Sequence, residues 1–219
     1  MPRKEKRMKN TNRLLGIDNT NINLFLGGLS IEAQNILRII DRKDPYTAGH
    51  CIRVAMIVAN ICKLLEVDEN LTSDIINGAA VHDLGKAAIP DEVLMKAGKL
   101  TDMEFLTMKS HSLKGALLLE RMGLNETIAE IAHYHHERWI GGGYPDSLAG
   151  TEIPLGARIT AIADSIDAMS TTRCYRKHLS PEVVYSEIAK NRGIMYDPNI
   201  VDIVLPNWET ILDGIYTNT

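Results

Sequence analysis

A chain of 219 residues, 45% hydrophobic and 24% charged, has the composition of an ordinary globular domain and length for one sizeable core. Its net charge of −4 weighs against binding a nucleic acid polymer. No apolar stretch reaches the roughly 20 residues of a membrane span, and the first 13 residues lack the apolar centre of a secretory signal, so a cytoplasmic location is expected.

Residues 1–29 read as a short leader, basic at first (Arg3, Lys4, Lys6, Arg7, Lys9 and Arg13 against Glu5) and a mixed segment from Ile22 to Leu29. Ser30 with Glu32 opens a helix to about Asp41, and further helices are expected at about 47–66, 69–84, 101–121, 125–137, 155–172 and 181–192. Thr101 and Glu104 form a capping box, and Ser180-Pro181 is an N-cap followed by proline at the first helical position. Pro90 and Asp91 open a short helical turn, and the longest connection runs through Gly141 to Pro154. Without alternating segments long enough for a sheet, residues 30–200 form one all-α domain. Residues 201–219 form a peripheral helical tail broken near Pro206. Cys51, Cys62 and Cys174, scattered without metal-type spacing, read as reduced structural thiols.

Polar residues recur where these helices turn inward. Ile75, Ala79, His82 and Asp83 fall on one stripe, and a carboxylate facing a core needs a partner. Taken alone, such a pair is more often a hydrogen-bonded structural feature than a ligand set; repetition changes that balance. His50 leads the stripe Val54, Ile57, Val58 and Ile61, and His111 lies between Met108 and Gly115, whose missing side chain leaves room beside it. His135 and His136 end an apolar stripe about 100° apart, so adjacent imidazoles can reach two neighbouring ions. Asp164 interrupts the small-residue stripe Ala157, Ala161 and Ala168. His133 and His178 read as surface or structural.

Five imidazoles and two carboxylates, His50, His82, Asp83, His111, His135, His136 and Asp164, exceed the needs of one tetrahedral ion and suit two. Nitrogen and oxygen donors without thiolate fit iron, manganese, zinc or nickel.

The ordered motifs HCIRV at 50–54, HDLGK at 82–86, IPD at 89–91, KAGKLT at 96–101, His111, HHERWIGGGYP at 135–145, and Asp164 to Ala168 followed by Arg173, Tyr175 and Arg176 resemble the HD-GYP subgroup of the HD phosphohydrolase superfamily over about residues 40–200. The resemblance implies an HD-type helical bundle with extra C-terminal helices. It also implies a phosphodiesterase that opens cyclic di-GMP, with either linear pGpG or GMP as the final product. Its metal ligands match the same seven residues, with iron or manganese placed ahead of zinc or nickel. A further glutamate that binds a third ion in some members is matched by Tyr46, so two ions are expected. Ile140, Gly142 and Cys174 depart from the usual pattern, which bears on loop shape and substrate fit.

Two cations roughly 3.5 to 4 Å apart activate a water and clamp a phosphodiester for in-line attack. Asp83 is the candidate bridging carboxylate, and Lys86, one turn on, the candidate contact to a phosphate oxygen. Arg173 and Arg176 are matched to substrate phosphates or guanines, Tyr144 to the guanine pocket, and Asp167 to orienting a ligand or an arginine. Two other readings stand beside this one. The first is hydrolysis of another cyclic dinucleotide such as cyclic GMP-AMP. The second is a non-catalytic module that binds cyclic di-GMP or docks a GGDEF-type diguanylate cyclase through Gly143, Tyr144 and Pro145.

Overall fold

The computed structural model describes residues 19–172 and 178–216. Within them the fold is all-α, with a lone bridge between Arg192 and Tyr196 and no strand. Helices α1 (Asn19–Gly28), α2 (Ile31–Lys43), α3 (Pro45–Leu64) and α4 (Glu69–Val81) lead into a 3₁₀ turn, Leu84–Ala88. After the short α5 (Asp91–Leu94) come α6 (Asp102–Lys109), α7 (His111–Arg121), α8 (Glu126–Tyr134) and α9 (Leu155–Ser170). Three helices close the chain: α10 (Pro181–Lys190), α11 (Pro198–Val204) and α12 (Trp208–Leu212).

Local chemistry fixes most of the boundaries. Ser30, Asp44, Asp68, Thr101, Asn125 and Asp197 each accept a backbone N–H at the helix start that follows, satisfying donors that have no intrahelical partner. The expected capping box between Thr101 and Glu104 is formed.

Helix α3 runs through the centre, packed by α2, α4, α9 and α12. Val54, Ala55, Ile57, Val58 and Ile61 have no exposed surface. By length and composition α3 is apolar enough to cross a membrane, against the expectation from sequence, but 67% of its apolar window lies inside the bundle.

Three element boundaries and the burial of the tail differ from the sequence reading. The mixed segment before Leu29 is helical, held by Ile22, 1% exposed, rather than by the propensity of its asparagines. The helix expected over 69–84 stops at Val81, and Asp83 sits at φ −95°, ψ 10° in the turn beyond. The helix expected over 101–121 breaks at Ser110, because α6 buries none of its side chains while α7 turns inward to bury His111, Gly115 and Leu119. The tail after Pro198 is helical and interrupted near Pro206 as expected. It is not peripheral, however: Val201, Val204, Ile211 and Ile215 are wholly buried in the common core.

Candidate metal centre

Five segments deliver the inward ligands to one place. His50 comes from the second turn of α3, and His82 and Asp83 from the end of α4 and the turn beyond it. His111 begins α7, His135 and His136 follow α8, and Asp164 lies on α9. His50, His82, Asp83, His111 and His135 are buried, while His136 and Asp164 are partly so. The 3₁₀ turn reaches them because Gly85 has no side chain. A Cβ there would come within 1.8 Å of the His111 carbonyl oxygen and 2.6 Å of the Gly115 nitrogen. The room attributed to Gly115 is thus taken by the HDLGK backbone.

Hydrogen bonds set the imidazole tautomers. His82 Nδ1 donates to the Ala79 carbonyl at 2.7 Å, His111 Nδ1 to the Met108 carbonyl at 2.7 Å, and His135 Nδ1 to the Ala132 carbonyl at 3.0 Å. A carbonyl only accepts, so the proton is on Nδ1 and each Nε2 presents a lone pair. His50 Nδ1 donates in the same way to Asp167 Oδ2 at 2.7 Å.

The bare nitrogens then crowd together. His111 Nε2 lies 3.4 Å from His135 Nε2 and 3.2 Å from His136 Nε2. Between His111 and His135 no proton is left to share, so the two lone pairs repel unless a cation lies among them. His111, His135 and His136 form one group of donors within 4.8 Å, and His50, His82 and Asp164 form another. His135 and His136, expected to serve two ions, thus fall in the same triad. Asp83 stands between the groups, with Oδ1 3.3 Å from His111 Nε2 and Oδ2 3.5 Å from His82 Nε2 and 3.9 Å from His50 Nε2. His82 Nε2 and Asp83 Oδ1 are buried without a hydrogen bond, the condition that coordination relieves. The residues present therefore fit divalent cations.

Charges follow the same geometry. Burial would raise the Asp83 pKa, but Lys86 and the surrounding imidazoles hold it well below the ordinary carboxylate value. Asp164 is likewise held low against burial by the hydrogen bond and charge of His50. Burial, and then its neighbour His111, pushes His136 down to about 3, keeping it a neutral donor. Cys51 also comes within ligand reach of His82 and Asp83. Burial and the Asp83 charge raise its thiol pKa far up, so without metal it is a protonated thiol.

Around the ligands, Lys86 Nζ pairs with Asp83 Oδ2 at 2.5 Å. Tyr144 stacks on His136 with ring centroids 4.6 Å apart, and Lys109 Nζ lies 5.1 Å from its ring centre. Asp167, expected to orient a ligand or an arginine, meets one of each: it accepts His50 Nδ1 on Oδ2 and Arg53 Nε on Oδ1 at 2.6 Å. Arg173 and Arg176, and the departure at Cys174, lie outside the described residues. Tyr46, in the place of a third-ion ligand, shares a hydrogen bond with Thr171 Oγ1 at 2.9 Å. His133 stacks on Tyr134, and His178 meets Thr172.

Two of the departures lie in the GYP loop. Ile140 is 69% exposed, but its N–H donates to the Ile194 carbonyl at 3.0 Å, and Gly142 has φ +73°, which favours glycine. Sequence reasoning missed Glu137, buried behind the loop, whose Oε1 accepts the Asp146 N–H at 2.7 Å. Gly143 packs so closely that a Cβ would fall 2.6 Å from Glu137 Oε2. The available signal was a charge directly after two inward histidines. Lys109 gave no such signal.

A family model described as HD domain matches residues 34–200, well over half of the chain. The chain belongs to the HD domain family. Its motifs place it in the HD-GYP subgroup. This HD chain is 34% identical over 203 residues to the 3'3'-cGAMP-specific phosphodiesterase 2 of Vibrio cholerae, covering 90% of itself and 39% of that protein. It is 37% identical over 185 residues to a cyclic di-GMP phosphodiesterase of Thermotoga maritima, covering 83% of itself and 50% of the relative. It thus spans half or less of the length of these relatives. Among solved structures, the HD domain of the L. monocytogenes phosphodiesterase PgpH in complex with cyclic-di-AMP matches with a TM-score of 0.65 at 21% identity, over 84% of this chain and 98% of that one. At that identity the match establishes the shared HD fold alone.

Proposed function

We propose that this HD domain is a metal-dependent phosphodiesterase that hydrolyses cyclic di-GMP to linear pGpG, and onward to GMP. The observation that carries the metal requirement is the pair of unprotonated Nε2 atoms of His111 and His135, 3.4 Å apart, beside the unbonded buried atoms of His82 and Asp83. Relatives at 34% to 37% identity named for cyclic dinucleotide hydrolysis supply the substrate class.

His111, His135 and His136 would hold one ion, His50, His82 and Asp164 a second, with Asp83 shared between them; iron or manganese suits the donors best, zinc or nickel next. Bound divalent ions supply Lewis acidity and lower the pKa of the attacking water. Lys86, released from Asp83 Oδ2, would carry its charge to a non-bridging phosphate oxygen. Tyr144, stacked on His136, offers an aromatic face at the edge of the centre for a guanine. Arg173 and Arg176 complete the substrate contacts in this reading, through bidentate donation to phosphate or guanine.

Cyclic GMP-AMP is the second substrate reading, favoured by the Vibrio cholerae relative. Docking of a GGDEF-type cyclase through Gly143, Tyr144 and Pro145 draws less support, since Tyr144 is turned onto His136. To test the proposal, the chain is incubated with either dinucleotide and Fe²⁺ or Mn²⁺, and products are resolved by chromatography. Linear dinucleotide is expected, from cyclic di-GMP faster than from cyclic GMP-AMP. Binding without turnover under every metal would overturn the enzyme reading.

A further inference from the structure

We infer that Tyr216, supplied by the C-terminal segment beyond the HD match, is a positioning residue of the metal centre, aligning His50 through the Asp167 carboxylate. The inference rests on the metal reading of the site.

Asp167 has no exposed surface, and its two oxygens share four donors. Oδ2 accepts His50 Nδ1 at 2.7 Å and Arg53 Nη2 at 3.0 Å, while Oδ1 accepts Arg53 Nε at 2.6 Å and the Tyr216 hydroxyl at 2.9 Å. A carboxylate with two donors on each oxygen is held against rotation, so its orientation is passed to the His50 ring. That ring points Nε2 to within 3.0 Å of Asp164 Oδ1, inside the second ligand group. Arg53, Asp167 and His50 lie within the matched stretch 34–200, whereas the fourth donor comes from position 216.

The hydroxyl is placed by packing. Ile211 and Ile215 have no exposed surface, and the Ile211 carbonyl accepts Asn60 Nδ2 at 3.1 Å. Asn60 belongs to α3, the helix that carries both His50 and Arg53, so tail and ligand share one rigid element. The backbone side of Asp167 is fixed as well, because Thr171 Oγ1 donates to its carbonyl at 2.8 Å. Removing the Tyr216 hydroxyl would leave Oδ1 with a single donor and free the carboxylate to tilt.

Metal binding separates this role from a merely structural one. The full chain, stripped of metal, is titrated with Co²⁺ followed by its visible absorption, for the parent, Tyr216→Phe, Asp167→Asn and the packing control Ile211→Val. Asp167→Asn should weaken cobalt binding by about 10- to 100-fold and Tyr216→Phe by about 10-fold, both with altered absorption bands. Ile211→Val should lower the melting temperature while leaving affinity and bands unchanged. A folded Tyr216→Phe with parental affinity and spectrum would overturn the inference alone. A parent chain that takes up no cobalt would overturn the metal reading and the inference with it.

Discussion

At the scale of single residues, the site is a set of imidazoles and low-pKa carboxylates tuned by their surroundings: burial lowers His82, His111, His135 and His136, whereas the Asp164 and Asp167 carboxylates raise His50 against burial. Asp83 is the hinge of the set, since its two oxygens face different ligand groups. Replacing it with alanine should lower cyclic dinucleotide turnover by more than about 100-fold, measured as linear product per minute at saturating metal. Lys86→Met should leave metal content intact and lower kcat by about 10²- to 10³-fold, the loss typical of one preorganised electrostatic donor. An equal drop in metal content would show Lys86 to be holding Asp83 rather than substrate. The seven candidate ligands were legible in the sequence because a polar side chain on an apolar helical stripe is anomalous wherever the helix packs. Glu137 and Tyr216 were not, for they act through the loop and through Asp167, contacts that no spacing encodes.

At the scale of elements, the centre depends on how closely the HDLGK turn approaches α7. Gly85→Ala would drive a Cβ to 1.8 Å from the His111 carbonyl oxygen. It should cost about 3 kcal/mol or more, as overpacking against backbone does. Gly142→Ala meets nothing within 4 Å and suffers only from its φ of +73°. Its cost should be about 1 to 2 kcal/mol. Urea unfolding midpoints compare the two, and equal losses would refute the close-approach argument. Helix positions were readable from caps such as Thr101 with Glu104, which depend on local sequence alone. The breaks at Val81 and Ser110 were not, because tertiary packing, which turns the HDLGK segment and α7 inward against one another, overrides segments whose periodicity runs on.

At the scale of the whole molecule, the fold encloses titratable groups whose protonation opposes folding. Burial, with His111 beside it, lowers His136 to about 3, so the unfolded chain binds the proton first as pH drops below about 6.5. Asp167, raised by burial but lowered further by Arg53 and His50 to about 2, contributes stability that is complete above about 4 and lost as pH falls through 2. Both act in the same direction. The melting temperature of the metal-free chain should therefore fall from pH 7 to pH 3, against the opposing contribution of His50, whose pKa the Asp164 and Asp167 carboxylates raise, and a flat profile would contradict the buried neutral imidazole of His136. The all-α class followed from hydrophobic periodicity. Burial of the C-terminal segment did not, since short helices either side of Pro206 carry too little pattern to show which surface they cover.

The central claim is a centre for two divalent ions that share Asp83, and metal analysis of the chain purified without oxygen tests it most directly. The account predicts two ions per chain, and one or fewer in Asp83→Ala. Ions absent from the parent, three per chain, or an Asp83→Ala content equal to that of the parent would contradict it.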